Sequence, residues 1–221
     1  MEAASRNPCA AETRPALWRT NRAADPGIRR HGRIPRLRRE STRGAADPVR
    51  HNGEMTESDP FRVIFVCTGN ICRSPMAEVV FRDIAAKQGL GDRIVSTSAG
   101  TGDWHVGEQA DSRTLDALAR RGYDGTKHRA RQFTYDSFTG SDLVVALDRT
   151  HERILKQWAR DESEEGKVTL LLSFEHNPSV LDVPDPYYAE ARVFDEVLGM
   201  IESASHGLFR QLEPAIRPSR P

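Results

Sequence analysis

The chain has 221 residues, 32 basic and 32 acidic side chains for a formal net charge of zero, and 38% hydrophobic residues. That balance suits one ordinary globular domain with something extra, and no run of about 18 apolar residues is present, which excludes a membrane-spanning helix. Three cysteines are too few for a disulfide framework, so a reducing, cytoplasmic setting is expected.

Zero net charge conceals an asymmetry. Residues 1–54 hold 12 Arg, no Lys and 6 acidic residues, together with five prolines. A stretch such as RRHGRIPRLRRESTRG buries too little apolar surface to offset chain entropy. It also lacks the apolar core of a secretory signal. Three readings stand side by side: a solvated, disordered arm; a basic arm for nucleic acid or anionic lipid; or residues not normally made, with Met55 as the true start. The third is preferred, because MTESDPFRVIF reads as a natural beginning. Neither nucleic acid nor membrane is then expected as a partner.

From residue 61 the pattern is orderly. Apolar, β-branched Phe61–Val66 predicts a first strand, and Met76, Val79, Val80 and Ile84 in MAEVVFRDIAAKQ predict a helix. RIVSTS, residues 93–98, is a second strand, and the Gly-rich AGTGDWHVG that follows is a loop. A second helix is expected over 109–121, ended by Gly122, then a third strand over 143–147 and a third helix over 149–160. VTLLLSF, 168–174, reads as a fourth strand. Acidic DESEEG, 161–166, reads as a solvated turn, and 190–212 as a long closing helix. Strands alternating with helices predict one α/β domain over 60–213, a three-layer αβα sandwich on a four-stranded parallel sheet, with a flexible tail over 214–221.

In such folds ligands bind outside the carboxyl ends of the strands. VCTGNICRSPMAE, residues 66–78, sits there, between the first strand and the first helix. Gly69, Asn70 and their neighbours let the backbone curl so that N–H groups point inward, and the following helix adds its N-terminus: an anion-binding nest. Pro75 suits the first helical turn. Helix N-termini and nearby cations lower a thiol pKa from about 8.5 into the range of roughly 3.5–7.5, so Cys67 is placed to face a bound anion as a thiolate. Arg73 offers a planar fork for two phosphate oxygens. Thiolate, arginine and a ring of N–H groups make a phosphate-attacking site. A bare Cys-x5-Arg is weak in a chain with so many arginines, but its setting between strand and helix strengthens it. No His/Cys cluster has metal-ligand spacing, so neither metal nor other cofactor is expected. Trp104, an aromatic on a polar Gly-rich loop, reads as a cleft wall. His105 beside it stays open between function and structure, His128 reads as a structural hydrogen-bonding residue, and nothing assigns Cys9 a role.

C-T-G-N-I-C-R-S-P closely resembles the signature of the low-molecular-weight protein tyrosine phosphatases. The later Asp185-Pro186-Tyr187-Tyr188 resembles the family's acid loop. TSAGTGDWHVG, HRARQ and DLVVALDRTH look most like the actinobacterial, mycobacterial-type branch. The resemblance covers about residues 60–212. It implies that Cys67 attacks phosphorus to give a phosphocysteine, and that Asp185 protonates the leaving tyrosyl oxygen and then deprotonates water. The loop groups of Thr68, Gly69, Asn70, Ile71 and Cys72 surround the phosphate. Ser74 stabilises the thiolate and Asn70 braces the loop. At least one of Tyr187 and Tyr188 walls the cleft. Cys72 stays open between a small loop residue and a reversible disulfide partner of Cys67. The expected substrate is a phosphotyrosine-containing protein, met by a monomer. The resemblance leaves two settings: action on an autokinase linked to polysaccharide export, or on a host's proteins after release without a signal peptide. Two related activities are weighed and disfavoured. Arsenate reduction needs further cysteines, and none follows Cys72. Phosphoarginine hydrolysis goes with a threonine where this chain has Ile71.

Overall fold

In FRVIFVC the side chains alternate between two apolar sets, as a strand covered on both faces requires. Phe61, Val63, Phe65 and Cys67 join one buried cluster, Ile64 and Val66 another. This strand, β1 (Phe61–Cys67), is the centre of a computed structural model that describes residues 59–217. The Arg-rich 1–54 segment, the expected start at Met55 and residues 218–221 lie outside the described residues.

In chain order the elements are β1, α1 (Arg73–Lys87), β2 (Ile94–Gly100), α2 (Ser112–Arg120), α3 (Tyr135–Thr139), β3 (Leu143–Ala146), α4 (Arg149–Trp158), α5 (Glu162–Gly166), β4 (Val168–Leu170), a 3-10 turn (Leu171–Phe174) and α6 (Ala191–Ile216). The sheet runs β2-β1-β3-β4, parallel throughout, with Cys67 opposite Gly100 and Val66 opposite Ala146. α1 and α6 cover one face and supply most of its core, including Met76, Val80, Phe81, Phe194, Ile201 and Leu208. The other face packs on Phe133, Phe138 and Leu155 from the α3–α4 side. This is the expected three-layer sandwich. Among the described residues, no helix is long and apolar enough to cross a membrane.

Several boundaries depart from the expectation. The fourth strand ends at Leu170, and Leu171–Phe174 turn into a 3-10 helix instead of continuing it. Leu171, Leu172 and Phe174 all belong inside, which strand alternation cannot achieve, and Ser173 Oγ donates to Leu170 O at 2.6 Å to hold the turn. DESEEG is solvent-exposed at five of its six positions, as expected, but it is more than a turn: Asp161 caps the single-turn helix α5, and Glu164 alone is buried, against Arg160. α2 starts at Ser112, because Asp111 accepts from the Arg113 N–H and ends the loop there. α6 passes through Pro214 to Ile216, so residues 214–216, expected in a flexible tail, are helical. The last turn loses one N–H at Pro214, but Ile216 is buried and the Arg217 N–H closes on Glu213 O.

β1 lies between β2, formed next in the chain, and β3, formed later. The connections after β1 and β3 therefore diverge at their shared carboxyl ends and open a crevice there.

Candidate active site

The crevice is built from three loops, one after β1, one after β3 and one before α6. The first is the stretch 67–73. Asn70 holds φ at 56°, a left-handed conformation that Asn tolerates better than most residues. It curls the chain so that α1 begins at Arg73 with its N-terminus facing the loop. Among the described residues, no backbone N–H from Gly69 to Cys72 donates within the chain. Those groups are left without an acceptor among the described residues, which is what the anion nest expected from the sequence requires. Gly69 lies close under its neighbour: a Cβ there would lie 3.0 Å from the His105 ring, so the ring would have to shift to admit one.

Asn70 also ties the loop down. Its Nδ2 donates to Ser74 Oγ at 2.8 Å and to Ser98 Oγ at 2.9 Å, and its Oδ1 accepts from the Arg131 N–H at 2.9 Å. Its backbone oxygen lies 2.8 Å from His128 Nε2, which gives His128 the structural role expected of it. Every polar atom of this buried amide is satisfied. Ser74 Oγ lies 3.0 Å from Cys67 Sγ, placed to donate to a thiolate. Cys67 and Cys72 are both free. Burial first, then the nearby Asp111, pushes the Cys72 thiol up to about 12. Cys72 is therefore a neutral thiol at ordinary pH. The side chains of Asn70, Ile71, Cys72 and Ser74 are buried, so they shape the loop from within.

Arg73 is 3% exposed and joins all three loops. Its Nη1 donates to Asp148 Oδ2 at 2.9 Å and to Val183 O at 3.2 Å. Its Nη2 reaches Asp185 Oδ2 at 2.6 Å and Thr68 Oγ1 at 3.4 Å. Its buried Nε has no partner among the described residues. Asp185 is half exposed at the mouth, and its Oδ1 accepts from the Tyr187 N–H. The loop carrying it is pinned at its start, where Val183 N–H donates to Leu147 O. Cys67, Arg73 and Asp185 thus come together from three separate stretches of chain.

The expected aromatic wall divides. Tyr187 and Tyr188 pack edge to face at 4.8 Å, and Tyr187 lies 6.4 Å from the His105 ring. Trp104 is exposed and makes no ring contact with either tyrosine among the described residues. It packs on its own loop, over Gly102, where a Cβ would overlap the ring.

Two functional features escape a reading by motif. One is the pair Asp148 and His151 at the start of α4. Asp148 accepts from the His151 N–H, and His151 Nε2 lies 2.8 Å from Thr68 Oγ1. His151 Nδ1 lies 3.0 Å from Asp148 Oδ1 but makes no hydrogen bond there. Burial works against the Asp148 carboxylate, but the His151 contacts and Arg73 outweigh it and hold its pKa well below the usual range. The detectable signal was Asp-x-x-His directly after a strand at the crevice, a cap and its third residue. The other is a clamp. Asp111 N–H donates to Ile71 O, and the Asp111 carboxylate holds Arg113 at 2.7 Å. Arg113 in turn donates to Tyr187 O and Ala189 O, both at 3.0 Å, with its guanidinium over the Phe194 ring. Phosphate loop and acid loop are thereby linked. No sequence pattern announced that contact, because its acceptors are backbone oxygens 74 and 76 residues away.

The model of the low molecular weight phosphotyrosine protein phosphatase family matches residues 62–217. A low molecular weight protein-tyrosine-phosphatase of Streptomyces coelicolor is 54% identical over 152 residues, covering 67% of this chain and 91% of its own. Low molecular weight protein-tyrosine phosphatase A of Mycobacterium bovis is 50% identical, over 68% of this chain and 91% of its own. Among solved structures, YfkJ from Bacillus subtilis superposes with a TM-score of 0.67 at 36% identity, covering 71% of this chain and 97% of that one. A protein tyrosine phosphatase from Entamoeba histolytica gives the same TM-score at 32% identity, over 70% and 98%.

Proposed function

The chain belongs to the low molecular weight phosphotyrosine protein phosphatase family, and from that premise we propose that it hydrolyses phosphotyrosine in proteins with Cys67 as nucleophile, Arg73 as phosphate clamp and Asp185 as general acid and base. The observation that carries the assignment is Arg73. One buried guanidinium touches the acid loop through Asp185 and the nucleophile loop through Thr68, and its Nε, like the backbone N–H groups of Gly69–Cys72, has no partner among the described residues.

The Cys67 thiolate, steadied by Ser74, attacks phosphorus, and the tyrosyl oxygen leaves with a proton from Asp185. Arg73 and the N–H groups of Gly69–Cys72 hold the equatorial oxygens, more tightly as charge spreads over them in the transition state. The product of this step is a phosphocysteine. Asp185, now a carboxylate, takes a proton from water, which attacks phosphorus and releases phosphate and the thiolate. Asp148 fixes the other side of Arg73 so that the clamp does not swing. Tyr187 and Tyr188 supply an aromatic side to the cleft beside Asp185. We read the enzyme as a monomer working in a reducing cytoplasm, the setting in which cysteines stay as thiols. Neither phosphoarginine hydrolysis nor arsenate reduction is favoured.

The test is a double comparison. Phenolic tyrosine is a poor leaving group, with a pKa near 10, whereas a nitro-substituted phenol departs readily without a proton. Asp185→Ala should lower turnover of phosphotyrosine by roughly 10²–10⁴-fold and that of the nitrophenyl ester much less. Equal losses on the two substrates would make Asp185 a loop residue and move the acid role elsewhere.

A further inference from the structure

A second polar cavity lies at the β2 edge of the sheet, between α1 and the 127–131 segment. It has a volume of about 160 Å³ and is lined by Glu78, Arg82, Ser98, Lys127, His128, Arg129 and Arg131, among others, several times the roughly 30 Å³ share of one water. It shares no lining residue with Cys67, Arg73 or Asp185. Four cations face one carboxylate. That carboxylate is already engaged: Glu78 accepts from Arg82 at 3.1 Å and from Ser98 Oγ at 2.6 Å, and lies 3.7 Å from His128 Nδ1. Burial opposes its charge, but His128, Ser98 and Arg82 outweigh burial and keep it below the ordinary glutamate range.

The cations are not used up. Arg82 Nη2 reaches Asp124 O, Arg129 Nη1 reaches Thr126 O and His128 O, and Arg131 Nε reaches Ser98 O. Among the described residues, Lys127 Nζ, Arg129 Nη2 and both Nη atoms of Arg131 make no hydrogen bond. A small polar cavity with several spare cationic donors suits a compact, multiply charged oxyanion.

We propose that this cavity binds a phosphate-type oxyanion, either the free ion or the head of a phosphate ester, and that occupancy is felt at the nucleophile. The route is continuous. Glu78 accepts from Ser98 Oγ, which accepts from Asn70 Nδ2 at 2.9 Å; Asn70 Nδ2 also donates to Ser74 Oγ at 2.8 Å, and Ser74 Oγ lies 3.0 Å from Cys67 Sγ. An anion drawing Arg82 towards itself loosens its hold on Glu78 and shifts the balance of the Ser98 and Asn70 hydrogen bonds.

The experiment uses the full chain, with vanadate filling the crevice, and follows the backbone amides of residues 127–131 by NMR. Inorganic phosphate is titrated in one arm and a non-hydrolysable alkyl phosphonate in the other, at constant ionic strength. Saturable shifts are expected at 127–131 in the wild type and not in the double variant Lys127→Glu, Arg129→Glu. Lys127→Glu alone should weaken them, which guards against a folding defect in the double variant. Whichever probe saturates at lower concentration identifies the source, ion or ester. In parallel, phosphate added to turnover assays competes in the crevice and raises KM in every variant. In the wild type alone it should also change kcat by about twofold or more, the low end of what such networks carry. Turnover without added phosphate reports the crevice separately. Absence of saturable shifts, shifts unaltered by both variants, or kcat indifferent to phosphate would overturn the proposal.

Discussion

Arg73 carries several jobs in one side chain: it holds Asp185, is tied to Asp148 after β3 and to Val183 O in the loop before α6, and in the proposed mechanism it clamps phosphate. A lysine keeps the charge but cannot make four directed contacts from two ends of a planar fork. Arg73→Lys should therefore lower turnover on the order of 10³-fold or more, about 4 kcal/mol of transition-state stabilisation. Steady-state kinetics checks this, and a loss below about tenfold would mean that Arg73 does not clamp the transferring group. At this scale the sequence was informative where chemistry is local. Cys67, Asn70, Arg73 and Ser74 fall within one short stretch, and their types name their tasks. His151 and Asp148 were harder to see, because a cap residue and a buried histidine look the same whether they serve a helix or a site.

Between elements, the crevice depends on how the acid loop is held against the phosphate loop. Arg113 does this through Tyr187 O and Ala189 O, and Asp111 links it to Ile71. A displacement of about 1 Å in a catalytic group costs on the order of 10² in rate. Arg113→Met keeps the packing on Phe194 but frees the loop. It should cut kcat on phosphotyrosine about 10-fold to 100-fold and spare the nitrophenyl ester, with partial recovery in Arg113→Lys. Equal kinetics to the wild type on phosphotyrosine would remove the clamp. Element types were legible from periodicity, but their ends were not. β4 stops where Leu171, Leu172 and Phe174 all need burial, and α2 starts where Asp111 caps it. Both depend on neighbours that a linear pattern does not list.

Across the whole molecule, the parallel four-stranded sheet covered on both faces was foreseeable from alternating strands and helices, but its order β2-β1-β3-β4 was not. Nor was the register that sets Cys67 against Gly100. The site rests on the larger core, where Phe65, Phe81 and Phe209 form a run of edge-to-face rings with centroids 5.6 and 6.3 Å apart. Phe81 lies in α1, whose first residue is Arg73. Phe81→Ala should cost about 3–5 kcal/mol of stability, read as a lower urea midpoint with an unchanged slope. A loss under about 1 kcal/mol would mean that the core beneath the phosphate loop repacks freely.

The central claim is that the reaction passes through a bond between phosphorus and Cys67. Wild-type enzyme mixed with an aryl phosphate, quenched in denaturant within a single turnover and digested for mass spectrometry, reads it directly. The expected result is one added phosphoryl group on the peptide containing Cys67, lost in Cys67→Ser, which should still bind inorganic phosphate through Arg73 and the loop amides. A phosphoryl group on any other residue, or none while Cys67→Ser keeps turning over, would contradict it.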